Sequence, residues 1–180
     1  MENLNKNKNI KFLINEIKDT LNDFPLNDFQ RLAYLKIKEI LESIDEGKIN
    51  ISKSTIKIKE EKGNFWIDIS LRPLDFRSFN LWIGIFVDGI SLGLGKWHQD
   101  YLIKESGLSE DKFLENFIKI LIEIFKGNVK IIEYQSNGKG YKWIRYDLIE
   151  GKWQPSGAVG LIFYNYFGRR TRIDKFCRLY

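Results

Sequence analysis

A chain of 180 residues with 43% apolar and 29% charged side chains has the composition of a globular domain and the length to bury a core without disulfide or metal staples. Its one cysteine, Cys177, excludes an internal disulfide and a zinc–thiolate site, and its one histidine, His98, excludes a histidine-rich zinc site. The net charge of +5 sits in the C-terminal quarter, where Asn137 to Tyr180 carry nine Lys or Arg against three Asp or Glu, a bias that attracts nucleic acid, an anionic surface or an acidic protein.

The Asn- and Lys-rich start has no signal-peptide core, and no apolar run approaches the roughly 18 residues that cross a bilayer. The expectation is a cytoplasmic protein with no membrane partner. Ile10, Leu13, Ile14, Ile17, Leu21 and Phe24 recur at helical spacing up to Pro25. Asn27 or Asp28 caps a second helix, whose face is Phe29, Ala33, Ile37, Ile40 and Ile44 and whose stop is Gly47. Residues 8–46 therefore read as a helical hairpin.

The period then changes to two. Ile56 and Ile58 alternate with lysines, and after Lys62-Gly63-Asn64 the residues Phe65, Ile67, Ile69 and Leu71 alternate with Trp66, Asp68 and Ser70. Leu81 to Val87 forms a strand, Asp88-Gly89 a hairpin turn, and Ile90 to Leu94 its return. Ser109 caps a long helix that is apolar on most of its surface from Phe113 to Phe125 and stops at Gly127, and its expected place is the centre of the sheet. Val129 to Tyr134, Tyr141 to Leu148 and Val159 to Phe167 read as strands, with Asn137-Gly138 turning the first pair. Ile173 to Tyr180 is an edge strand or a tail. The order αα-ββββ-α-βββ lacks βαβ alternation. It predicts one α+β domain over residues 1–180, in which residues 48–180 form a mostly antiparallel sheet of about six or seven strands with one long apolar helix on it.

Three features carry candidate chemistry. Gly93, Gly95 and Lys96 match neither the phosphate-loop nor the dinucleotide spacing, and no cofactor is implied. His98 could shuttle protons if Asp100 or Glu105 oriented it, but Ser91 and Ser106 lie outside any nucleophile-elbow sequence. An enzyme centred on His98 is thus one alternative, and Trp97, His98 and Tyr101 otherwise read as an amphipathic loop on the sheet edge. Lys142, Arg145, Arg169, Arg170 and Arg172 lie among aromatics, the composition of a nucleic-acid-binding module. Strand alternation splits that set, with Tyr141, Trp143 and Arg145 on one face and Lys142, Ile144 and Tyr146 on the other. Trp66, Trp82, Trp143, Trp153, Tyr164 and Tyr166 cannot all point inward, and exposed Trp and Tyr anchor protein interfaces.

Gly89-Ile90, the step Gly95-Lys96-Trp97-His98, Tyr101, the helix from Ser109 and Gly138-Lys139 together resemble small bacterial proteins of the immunity type, which are encoded beside polymorphic toxins. The resemblance covers about a third of the chain and does not extend to the N-terminal helices or the basic C-terminus. It implies neutralisation of a toxin by direct protein binding and transfers no catalytic residue. The expected partner contacts are Trp97, His98, Asp100, Tyr101 and Trp143.

Overall fold

The computed structural model describes residues 9–18, 20–160 and 169–180. Two antiparallel sheets share one continuous core with the helices. The first sheet has five strands in sequence order, β1 (Thr55–Glu61), β2 (Asn64–Leu71), β3 (Leu81–Ile85), β4 (Gly89–Leu94) and β5 (Trp97–Leu102). The second has the order β8-β7-β6-β9, with β6 (Val129–Ser136), β7 (Lys139–Ile149), β8 (Lys152–Gly160) and β9 (Arg170–Phe176).

This differs from the single sheet that the alternation predicts. Two helices, α3 (Ile103–Ser106) and α4 (Glu110–Lys126), intervene between β5 and β6. β6 then pairs with β7 and β9, so β5 remains an edge. Alternation records which side chains share a face, not which distant strands exchange hydrogen bonds.

The turn expected at Asp88-Gly89 moves back by one residue: β3 ends at Ile85, the Phe86 amide donates to the Gly89 carbonyl across Val87-Asp88, and Gly89 opens β4. Two other hairpins close where turn chemistry expects. Lys62 and Gly63 have φ of 54° and 81°, and Asn137 and Gly138 have 50° and 75°, the left-handed pair that a two-residue turn requires. Ser109 accepts a hydrogen bond from the Lys112 amide and Gly127 ends α4 at φ 81°, so both ends of that helix follow its capping signals.

The helices depart from expectation in how they dock. α1 (Ile10–Lys18) lies against β1, whereas α2 (Asp28–Leu41) lies against β2, β3 and α4. They are not paired lengthwise as a hairpin. A buried link joins them, the Tyr34 hydroxyl donating to the Ile14 carbonyl at 3.0 Å. α4 is amphipathic, with Glu115, Asn116 and Lys119 exposed. It buries Phe113, Leu114, Phe117, Leu121, Ile124 and Phe125 and lies against α2 and against β6, an inner strand of the second sheet.

Lys152–Gly160 forms β8, a strand that sequence patterning misses because Pro155, Gly157 and Gly160 break its apolar rhythm. Pro155 is tolerated because β8 is an edge strand. The expected strand from Val159 to Phe167 lies outside the described residues beyond Gly160, as do Tyr164 and Tyr166. The expected C-terminal strand begins at Arg170 and ends at Phe176.

Candidate functional site

The inner face of the five-stranded sheet is entirely apolar at its centre: Ile67, Ile69, Ile83, Ile85, Leu92 and Leu94 are buried in the common core. Period-two geometry turns the intervening residues outward. Cross-strand register aligns Thr55, Ser70, Trp82, Gly93 and His98 in one row of that outer face, and Lys57, Asp68, Gly84, Ser91 and Asp100 in the next. No described helix packs on this face, and Thr55, Lys57, His98 and Asp100 are exposed at its margins.

At its centre lies an aromatic platform. A Cβ at Gly84 would stand 2.7 Å from Phe86 Cε2 and 2.9 Å from Trp82 Cζ2, and one at Gly93 would stand 3.3 Å from Trp82 Cε3. Glycine inside a strand marks such close approach. Here it lets the Trp82 indole lie against the backbone. Trp82 Nε1 donates to Asp68 Oδ2 at 2.8 Å, and the same oxygen accepts from Lys59 Nζ at 2.8 Å. Asp68 is only 3% exposed, so both donors answer a carboxylate that burial would otherwise penalise. Trp66 stacks on Phe86 with ring centroids 5.9 Å apart. Both rings also line an open cavity of about 600 Å³ with Phe65 and Val87.

The expected contact segment from Trp97 to Leu102 is strand β5 rather than a loop, and alternation divides it. His98 and Asp100 face outward. Asp100 accepts from Ser91 Oγ at 2.5 Å, and the His98 side chain makes no hydrogen bond or ion pair with any described residue. Among the described residues, none is hydrogen-bonded to the His98 imidazole as a nucleophile or an orienting carboxylate.

Trp97 and Tyr101 point inward. Trp97 is 2% exposed, beneath Gly157, with its Nε1 lacking an acceptor among the described residues. Tyr101 packs edge-on to Phe117, and its hydroxyl accepts from Arg145 Nη1 at 3.0 Å. Burial raises the Tyr101 pKa, against the pull of Arg145.

Trp143 is half-buried on the core-facing side of β7, where its indole N–H is directed at Glu133 but falls outside hydrogen-bond geometry. Burial would raise the Glu133 pKa, yet hydrogen bonds from Gln135 and Lys175 hold it below the usual range.

The basic residues divide similarly. Arg145 is 6% exposed. It forks onto Asp147 at 2.8 and 3.2 Å, so it is a structural cation within the fold. Register places Lys142 and Arg172 on either side of Tyr134 on the opposite face, and Arg170 two residues along β9 from Arg172. Arg172 is paired bidentately with Asp174. Arg169 precedes β9, its amide donating to Asn137. On this face Lys130 lies over the rings of Trp153, at 4.5 Å, and Tyr146, at 5.6 Å.

Sequence reasoning missed Asp68, Lys59, Trp82 and Phe86 as a unit, although Gly84 and Gly93 within strand patterns were the available signal. The arrangement defines a class: an α+β protein with two antiparallel sheets, one of which presents an aromatic outer face. In comparison with family models, curated proteins and solved structures, the chain matches none.

Proposed function

We propose that this chain is a binding protein that holds a partner protein against the outer face of its five-stranded sheet, as an immunity protein holds a toxin. The observation that carries the reading is the Trp82 indole, seated on Gly84 and Gly93 and tied through Nε1 to the buried Asp68. A large ring held in one pose loses little entropy on association, which is what makes Trp an effective interface anchor. Trp66 and Phe86 extend the apolar centre, while Lys57, His98 and Asp100 supply the polar margin typical of such surfaces. Trp97 and Tyr101 support this surface from behind instead of touching the partner.

Co-expression with the protein encoded beside it, followed by calorimetry on the purified pair, tests the reading. A stoichiometric complex is expected, weakened roughly tenfold or more by Trp82→Ala. Leu35→Ala, which truncates an exposed residue of α2, should leave it intact. A complex indifferent to Trp82→Ala would remove this face from the interface.

A second reading has its own observation. Lys142, Tyr134 and Arg172 form one cross-strand row on the outward face of the second sheet, a basic and aromatic combination suited to single-stranded nucleic acid. It predicts oligonucleotide binding that weakens steeply with salt, with a slope reduced by about one unit in Lys142→Ala.

A further inference from the structure

A second cavity, of about 650 Å³, shares no lining residue with the aromatic platform and opens where the segment after β2 meets β9 and the chain beyond it. It falls within the range of small-molecule sites, roughly 300–1,000 Å³. Its apolar wall is Pro73, Leu74 and Phe176, and Lys48, Arg77 and Arg178 bring cations to it. Asp75 and Asp174 also line it, but both are already answered. Asp75 accepts from the Arg77 amide at 2.9 Å. Asp174 takes the fork of Arg172 at 2.8 and 3.0 Å, with Lys130 at 3.8 Å.

Arg178 differs from the other two cations of the wall. Lys48 has Asp45 at 3.7 Å and the Tyr180 carbonyl, and Arg77 has Asp75 at 3.4 Å. Arg178 has no carboxylate partner among the described residues. It is nonetheless held in place. Its guanidinium lies 5.7 Å from the centroid of the Phe176 ring, and its stem fills the space above Gly127, where a Cβ would meet Arg178 Cγ at 2.5 Å. Ser78 also lines the cavity, and its hydroxyl has no hydrogen-bond partner among the described residues. An arginine that lies over a ring in the wall of a cavity, with its guanidinium unpaired among the described residues, is suited to an anion.

We propose that this cavity binds a small organic phosphate with a planar apolar body, of the size of a nucleoside monophosphate. The phosphate meets Arg178, Arg77 and the Ser78 hydroxyl, and the planar part lies against Phe176, Pro73 and Leu74. Guanidinium forks match phosphate oxygens, and the apolar wall separates such a ligand from inorganic phosphate. The site is independent of the proposed protein interface, since none of its lining residues belongs to the outer face of the first sheet.

Titration of the full chain with AMP, followed by amide NMR shifts at low salt, is the test, with inorganic phosphate and adenosine as parallel probes. Saturable shifts at Ser78, Phe176 and Arg178 are expected with AMP, and at least tenfold weaker binding of either fragment. Arg178→Gln, with thermal unfolding as the check on its fold, should weaken AMP at least tenfold. Arg72→Gln, outside the cavity, should leave it unchanged. Absence of saturable shifts up to millimolar AMP, equal affinity for inorganic phosphate, or unaltered binding by a folded Arg178→Gln protein would each overturn the proposal.

Discussion

The Arg145 guanidinium stands over the Trp97 indole, 5.3 Å from its centroid, and joins β7 of one sheet to β5 of the other. The same group forks onto Asp147 and donates to the Tyr101 hydroxyl. One buried cation thus ties together a residue from each end of β5 and a carboxylate of β7. Arg145→Met should destabilise the fold by about 3 kcal/mol, because it strands Asp147 and the phenol without their donor. Arg145→Lys should recover only part of this, since an ammonium cannot reproduce the fork. Urea unfolding followed by tryptophan fluorescence measures both. A midpoint for Arg145→Met equal to that of the parent would show that the sheets are held without this network.

Asp68 organises the platform through one oxygen. Asp68→Asn keeps an acceptor for Trp82 Nε1 but loses the charge opposite Lys59, which is itself well exposed. The loss should be about 1 kcal/mol. Asp68→Ala leaves the indole N–H unpaired and should cost about 2 kcal/mol or more. Denaturant midpoints of the two variants should fall in that order, and the reverse order would sink the assigned hydrogen bond.

Gly84 is the position where the platform is most sensitive to a single methyl. The added Cβ of Gly84→Ala collides with both Phe86 and Trp82, and overpacking of this kind costs roughly 1–3 kcal/mol. The rings must also lift from the strand, so the near-ultraviolet circular dichroism should change. Partner binding, measured on the folded protein, should weaken along with it.

Alkaline pH should destabilise the fold. Burial raises Tyr34 to about 12, with Glu42 adding to the shift, and burial raises Cys177 to about 12. A group whose pKa is higher folded than unfolded contributes fully below its unfolded value. That contribution is lost as pH climbs toward the folded one. Stability should therefore fall above about pH 9 to 10, on the order of a few kcal/mol in all. Tyr34→Phe should make the alkaline limb of a stability–pH profile shallower by about one proton. Cys177 should resist thiol reagents at pH 8 until the protein is unfolded.

Glu133 carries the opposite sign. Its folded pKa is depressed by Gln135 and Lys175 despite burial. Its contribution is present above the ordinary carboxylate range and lost as pH falls through the folded value. Glu133→Gln should flatten the acid limb of the same profile while lowering stability at neutral pH, and an unchanged acid limb would place the proton elsewhere.

Local order was readable because it depends on neighbours along the chain. The alternation around Ile67 and Ile69, the turn at Lys62-Gly63, the turn at Asn137-Gly138 and the Ser109 cap all appear where their residue types require. β8 was hidden because an edge strand tolerates Pro155 and glycines that patterning treats as breaks. The candidate contacts were only half readable. Alternation implies that Trp97 and His98 part company once the segment is known to be a strand, but a segment with Gly95 before it and charges within it reads equally as a loop.

By itself, then, the order of residues determined the α+β class, the hairpin turns at Lys62-Gly63 and Asn137-Gly138 and which side chains share a face, since backbone sterics and periodicity act over a few residues. Tertiary structure alone decided that the strands divide into two sheets, that Arg145 is an internal tie, and that Trp82, Asp68 and Lys59 meet. Those outcomes depend on pairing between distant segments, where desolvation and register, not local propensity, choose among the combinations that one pattern permits.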